Sequence, residues 1–558
     1  MYIKRIRDIW NITNHFWYAE GKWKHRLYFL LVIISKLSAV GFLVLLNAWT
    51  SSFYNALQNY NSSAFMVSMR DFFLIGLGYV AIRITGKYLE QYLELQWRVS
   101  LTESFLTRWL DARKYYYLEL GRSIDNPDQR ISEDLNLYVM KTMNLFLGIF
   151  ESFIKILSFG VILWRLSEPL EFTLAGVHIV IPGYLCIFAV IYAVCGTLLA
   201  NRIGRPLIKL NYMQQKTEAD FRYNVIKIRD NAESIVLYRG EAREKETADK
   251  KFSDVAANYL NLIKAIRRLN IFSESYSQFT FIFPFLVAAP QYFIKKSPMG
   301  TLVQTATAFD QVQRALSYFI SSYHELAEWS ATAGRIIDFH NELESISAIE
   351  KIKSDVDCLM IRDLRINLPD GKKLLRIPGL FIQKGENLHI TGANGQGKTV
   401  LSRVIAGSWP FIEGTVVVPD DIAVLPQKPY MPEGSLKDIL CYPGKNTISA
   451  ENARTLMGLC YLEKYIPLLD KHCDFEKILS EGEKELLILA QTLWRRPSWI
   501  LLDEPTAALD KEMERKYYEI LKEHLPDSTL ITISHSKQLE TYHSKSFVAN
   551  DGVLCEIM

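Results

Sequence analysis

Long apolar runs alternate with charged stretches through the first 336 residues; beyond residue 354 the apolar runs shorten to a few residues. Five runs stand out: Leu27–Ala48, Phe72–Tyr92, Met143–Trp164, Thr173–Ala200 and Ile271–Gln291. The first is long enough to span about 30 Å of hydrocarbon as a helix, and only Lys36 interrupts it. The fourth is nearly free of charge; His178 within it reads as a satisfied or interfacial histidine, because no partner is identifiable. A sixth span, Thr301 to Glu328, returns the chain to the side on which it started. It carries Gln304, Asp310, Gln311, Gln313 and Arg314, so it is expected to face protein or a water-filled path rather than lipid all round. Asp310 and Arg314, like Glu151 and Lys155, stand four apart and can neutralise each other along one helix face.

Basic residues orient these spans. Lys4, Arg5, Arg7, Lys22, Lys24 and Arg26 precede the first one, whereas only Arg70 lies between the first two. The N-terminus is therefore expected on the cytoplasmic side. The connections 93–142 and 201–270 are long and rich in Lys and Arg, so they are expected there too, as helices running on past the bilayer. Around 337–354 charges take over, which reads as a linker. The expected organisation is an all-α six-helix transmembrane domain over 1–336 joined to an α/β domain over 355–558.

Composition agrees with two domains of different character. The 558 residues exceed what one core usually organises, and 49% apolar content coexists with 22% charge. A net charge of +3 gives no support to nucleic-acid binding. The seven cysteines contain no CxxC pair and read as reduced, inert thiols. The opening MYIKRIRDIW lacks an apolar stretch before a small-residue cleavage site, so no secretory signal peptide is expected.

The chemistry concentrates in the second domain. The run Asn387–Thr391 leads into GANGQGKT and then the helical stretch VLSRVIAG. This is GxxxxGK[ST] in strand–loop–helix order. Gly392, Asn394, Gly395 and Gly397 let backbone N–H groups wrap phosphates, Lys398 reaches the β- and γ-phosphates, and the Thr399 hydroxyl can ligate Mg²⁺. A second element, WILLDEP, is a buried strand ending on Asp503, which can also hold Mg²⁺. Glu504 follows, placed to polarise an attacking water. ATP and Mg²⁺ are the cofactors this pair implies.

Further segments resemble ABC ATPases. LSEGE (479–483) lies just upstream of WILLDEP, as the family's signature LSGGQ does. The resemblance implies that Ser480 and Gly482, with Glu483 beside them, meet nucleotide held by a partner's P-loop. It implies that Gln427 in LPQKPYMPEG is the Q-loop residue touching Mg²⁺, that Asp510 closes the D-loop TAALD, and that His535 in ITISHS is the switch histidine. In that family P-loop and signature act across a head-to-tail pair, so a two-fold homodimer with two ATP sites is implied, unless a heteromeric partner exists.

The first domain resembles one branch. LQWRVSLTESFLTRWLDARKYYYL, IDNPDQRISEDL and EADFRYNVIKIRDNAESIVLYRGE are similar to segments of peroxisomal acyl-CoA transporters and of bacterial SbmA/BacA-like proteins. The resemblance implies ATP-driven movement of a solute across the bacterial inner membrane: a peptide, a large hydrophilic compound such as a corrinoid, or an acyl-type lipid. It implies contact with membrane lipid and no dedicated binding protein. Three positions depart from the family pattern: Glu481 replaces a signature glycine, Leu486 stands where an arginine is common, and Leu368 stands where an adenine-stacking aromatic is common. A carboxylate beside triphosphate costs affinity unless it points to solvent, so a working but slow ATPase is expected. The rival functions are a nucleotide-sensing membrane scaffold with a degenerate ATPase and a soluble ABC ATPase. Intact Lys398, Asp503, Glu504 and His535 oppose the first, and the apolar spans oppose the second.

Overall fold

The computed structural model describes residues 14, 16–18, 22–121, 127–167, 169–174, 177–295, 297–346, 357–444 and 447–557. Lys4, Arg5, Arg7, Asn126 and the end of the expected linker (347–354) lie outside the described residues. The chain divides into two compact units, Met1–Arg108 with Asp125–Leu343, and Trp109–Ile124 with Glu344–Met558.

The first unit is helical. Helices α1 (Lys22–Gln58) and α2 (Ser62–Leu110) are followed by a break at Ala112, whose φ of +48° no helix accommodates. A short helix, α3 (Lys114–Gly121), groups with the second unit, although its sequence lies inside the stretch read as transmembrane domain. There follow α4 (Leu135–Leu166), a hairpin of β1 (Leu170–Leu174) and β2 (Val177–Ile181), and α5 (Tyr184–Asp230). Next come α6 (Ala232–Tyr238), α7 (Glu241–Lys295), α8 (Met299–Ser321) and α9 (Tyr323–Ser345). Helix α9 runs into the stretch read as linker, and α8 ends inside the expected sixth span.

Four of the described helices are long and apolar enough to cross a membrane: Lys22–Gln58, Ser62–Gly121, Pro127–Leu166 and Tyr184–Asp230. Their apolar windows are mostly not buried within the protein, as lipid-facing surface requires. The expected span Thr173–Ala200 begins later, at Tyr184, because its first residues form the hairpin, with Thr173 opposite His178. Apolar, β-branched VHIVI suits a strand as well as a helix, and periodicity cannot separate them.

Polar groups inside this unit find partners on neighbouring helices. Lys36 of α1 lies 3.2 Å from Glu90 of α2 and 3.7 Å from Glu151 of α4. Glu151 also receives Lys155 at 2.8 Å and Arg83 at 3.6 Å, and Glu90 receives Lys87 at 2.7 Å. One ion network thus joins three helices, so that these charges pair with one another across helix contacts. On α8, Gln304 donates to Asn47 and Gln313 donates to the Tyr276 hydroxyl at 2.8 Å. Those two glutamines serve helix packing, while Arg314 donates to Asp310 at 2.9 Å on the more open side.

The second unit is a nine-stranded sheet in the order β6-β3-β4-β11-β10-β5-β9-β8-β7. The strands are β3 (Cys358–Asn367), β4 (Lys373–Gln383), β5 (Leu388–Gly392), β6 (Ile412–Val417), β7 (Ile422–Leu425), β8 (Trp499–Asp503), β9 (Thr529–Ile533), β10 (Lys545–Asn550) and β11 (Val553–Glu556). Strands β10, β5, β9, β8 and β7 run parallel, and two of them, β8 and β9, are buried along their whole length, as strands covered on both faces are. The helices that matter below are α10 (Lys398–Ile405), α11 (Glu481–Arg495) and α12 (Lys511–His524). Before α3, Arg113 donates at 2.8 Å to each of the Ala406 and Gly407 carbonyls at the C-terminal end of α10. A guanidinium is favoured there by the helix dipole.

Candidate functional site

Strand β5 delivers the chain to the loop Gly392–Gly397, from which α10 starts. Two glycines are required by space as well as by backbone. Gly392 has φ of +144° and a Cβ there would lie 2.4 Å from the Ala549 carbonyl; Gly397, at +86°, would press on Leu374. Asn394 and Gly395 are exposed in the turn, Thr399 is half-buried on the first turn of α10, and Lys398 is buried. Lys398 donates to the Gly392 carbonyl at 2.5 Å and the Ala393 carbonyl at 3.0 Å, and its Nζ lies 3.1 Å from His535 Nε2. Burial pushes its ammonium down, while Glu504 and Asp503 pull it back up.

Strand β8 places Asp503 at its buried end and Glu504 just past it. Ser402 of α10 donates to Asp503 Oδ2 at 2.8 Å, leaving Oδ1 buried and without a hydrogen-bond partner. Burial holds the Asp503 carboxyl above the usual range, against the Ser402 hydroxyl. A buried carboxylate oxygen with no donor is what a divalent cation would satisfy, so the donor set Asp503, Thr399 and Gln427 fits Mg²⁺. Glu504 has φ of +50°, a left-handed conformation strained for a non-glycine residue, and its N–H donates to the Ile533 carbonyl at 2.9 Å. That conformation lets its carboxylate reach two loops. Gln427 donates to Oε2 at 2.9 Å, and His535 Nε2 lies 3.5 Å from Oε1.

Ser480, Gly482, Glu483 and Asp510 form a second group. Among the described residues no hydrogen bond or ion pair joins them to Lys398, Asp503, Glu504 or His535. Ser480 caps α11 and Glu483 answers it: the Ser480 N–H donates to Glu483 Oε2 at 2.8 Å, and the Glu483 N–H faces Ser480 Oγ. Glu483 also accepts from the Tyr465 hydroxyl at 2.9 Å and pairs with Lys464. Burial pushes its carboxyl up, but Lys464, Ser480 and Tyr465 outweigh that and bring it to about 2. Within its own chain the Glu483 carboxylate is thus committed to Ser480, Tyr465 and Lys464. Asp510 caps α12, accepting from the Met513 N–H at 2.8 Å.

The three departures are explained in place. Glu481 is 68% exposed and pairs with Lys484 at 2.9 Å, so its charge faces solvent. Leu486 is buried in the core beneath α11, where an arginine would need a partner. Leu368 packs at the edge of the sheet's other core. Sequence reasoning missed Ser402, Tyr465 and Lys464, since nothing in their local pattern marks residues that act by tertiary contact.

The transmembrane stretch matches the family model "ABC transporter transmembrane region 2" over residues 16–293, and "ABC transporter" matches 376–507. The inner membrane ABC transporter ATP-binding protein YddA of Escherichia coli is 30% identical over 528 residues, covering 94% of each chain. The chain belongs to the ABC transporter family. The human lysosomal cobalamin transporter ABCD4 is an ABC relative 26% identical over 563 residues, covering 91% of this chain and 89% of that one. The structure of a bacterial Atm1-family ABC exporter with ATP bound aligns with a TM-score of 0.76 at 16% identity, covering 96% and 95%. The ABC fold is therefore of exporter type, a helical membrane part joined to an α/β ATPase. The chain thus combines an ABC transporter transmembrane region with an ABC transporter ATPase domain.

Proposed function

We propose that two copies of this chain form an ATP-driven transporter of the bacterial inner membrane, with the ATPase units and N-terminus cytoplasmic. The observation that carries this reading is Glu504, held between Gln427 and His535 beside the open oxygen of Asp503, in a chain with membrane-length helices. Lys398 and the loop Gly392–Thr399 bind the phosphates, Glu504 orients and polarises the attacking water, and His535 meets the γ-phosphate. Mg²⁺, held by Thr399, Gln427 and Asp503, would neutralise charge developing on the phosphates. Ser480, Gly482 and Asp510 stand apart from Lys398 on one chain, so a site is completed by the partner copy's signature.

The NPDQRI and AESIVLYRGE segments favour the branch shared by SbmA/BacA-like and peroxisomal acyl-CoA transporter-like proteins. The inner-membrane name of the bacterial relative supports the location, and the cobalamin transporter supports a corrinoid cargo beside a peptide or an acyl-type lipid. A nucleotide-sensing scaffold is the second reading; the intact Lys398, Asp503, Glu504 and His535 set weighs against it. Reconstitution into vesicles with cobalamin, a peptide and an acyl lipid in turn separates the two. ATP-dependent movement of one of them, abolished by Lys398→Ala, supports transport; nucleotide binding with no hydrolysis supports the scaffold.

A further inference from the structure

Helix α11 carries one buried carboxylate that the reading above does not use. Glu485 is 6% exposed, and both of its oxygens accept from one backbone donor, the Ala508 N–H, at 3.1 and 3.3 Å. Ala508 lies in the middle of TAALD, two residues before Asp510. The same helix approaches this loop at a second point: a Cβ on Gly482 would lie 3.1 Å from Leu509 and 3.2 Å from the Ala508 carbonyl. The signature helix and the D-loop are therefore clamped at two places about one helical turn apart. One clamp is close backbone approach, and the other is a carboxylate.

We propose that Glu485 is a positioning residue that holds the D-loop to the signature helix, so that Ser480 and Asp510 are presented to the partner's ATP as one unit. This rests on the reading of two copies sharing ATP sites. A carboxylate is an unusual choice for the task, because a neutral amide could accept the same N–H without the cost of burying charge. Its consequence is proton linkage. Burial pushes the Glu485 carboxyl up to about 7, with the Ala508 N–H pulling it down and Glu481, on the preceding turn, pushing it further up. Tyr517 of α12 also feels Glu485, and its phenol is held neutral by burial. Lys484, next along α11, is spent on Glu476 and Glu481.

A charged acceptor binds an N–H roughly twice as strongly as a neutral one. Deprotonation of Glu485 therefore tightens the clamp, and protonation loosens it. A purely structural role would lower activity or stability on mutation but would leave no titration behind.

The test is the ATPase rate of the full-length, lipid-reconstituted chain at saturating MgATP, between about pH 6 and about pH 8.5, with Glu485→Gln and Glu485→Ala alongside. The wild-type kcat is expected to rise about fivefold through a step near pH 7 that Glu485→Gln lacks, the Gln variant staying at the wild type's low-pH rate. Glu485→Ala, with no acceptor, is expected to fall below both, while the KM for ATP moves less than about twofold in each. Any step common to wild type and the Gln variant belongs to other groups; the difference between the curves reads Glu485. A Gln variant with the full wild-type profile overturns the proposal, and it does so even if the Ala variant fails to fold. No hydrolysis in the wild type would instead overturn the shared-site reading.

Discussion

Gln427 donates to Glu504 Oε2 at 2.9 Å, which ties the loop after β7 to the carboxylate we propose polarises water. Glu504 sits in a strained backbone conformation, its N–H bonded to the Ile533 carbonyl, and its other oxygen lies toward His535. Gln427→Ala leaves that carboxylate steered by His535 alone. A hydrogen bond to a charged group contributes about 1.5 kcal/mol, so kcat is expected to fall about tenfold. Steady-state ATPase assays check this; an unchanged kcat would mean that the bond does not orient the base.

Shared sites give a second expectation. Chains carrying Lys398→Ala have no working P-loop, and chains carrying Ser480→Ala have no working signature. A mixed dimer purified through two different tags pairs the intact P-loop of one copy with the intact signature of the other. It is expected to occlude about one ATP, where each parent dimer occludes none. Occlusion measured with labelled nucleotide decides the matter, and a mixed dimer as empty as its parents would count against head-to-tail sharing.

The signature's acidic departure is expected to matter little. Glu481 faces solvent and pairs with Lys484, and exposed pairs of this kind contribute at most about 1 kcal/mol. Glu481→Gln should change the KM for MgATP less than about twofold. A drop in KM of tenfold would show that the carboxylate does approach the triphosphate.

Stability should respond to acid through His543. Burial pulls its imidazole down to about 4, with the Leu539 carbonyl opposing and His389, 5.3 Å away and stacked, pulling it further down. Below its unfolded value of about 6.5 the unfolded chain takes up a proton that the folded one refuses. Stability is therefore lost as pH falls from about 6.5 to about 4, at about 1.4 kcal/mol per pH unit for this group. Glu485 acts the other way between about 4.5 and about 7, because its raised carboxyl binds the proton when folded. The comparison must therefore be made against His543→Gln. Denaturation at several pH values should show the variant losing less stability than wild type over that window; parallel curves would contradict it.

Much of this was legible in the residues, for identifiable reasons. Gly392–Thr399 and Asp503–Glu504 are local patterns whose chemistry follows from spacing, and among the described residues four of the six expected membrane helices announce themselves by length and apolarity, the expected spans Ile271–Gln291 and Thr301–Glu328 not being among them. What escaped was set by neighbours distant in sequence. The ion network joins positions 36, 83, 87, 90, 151 and 155, and only the packing of three helices makes it one cluster. The β1–β2 hairpin hid inside an apolar run that suits strand and helix alike. Ser480 and Glu483 stand in the S-x-x-E spacing of a capping box, so the family signature overlays a local helix start. Glu485 has no local signal; its meaning comes from the loop that folds back onto it.

The most direct measurement is ATP hydrolysis by the purified, lipid-reconstituted dimer, run beside the Glu504→Gln variant. Turnover is predicted, with no slowing from the solvent-facing Glu481, and it is lowered by about a hundredfold or more in the variant while ATP binding persists. A wild-type rate indistinguishable from that of Glu504→Gln would contradict the account.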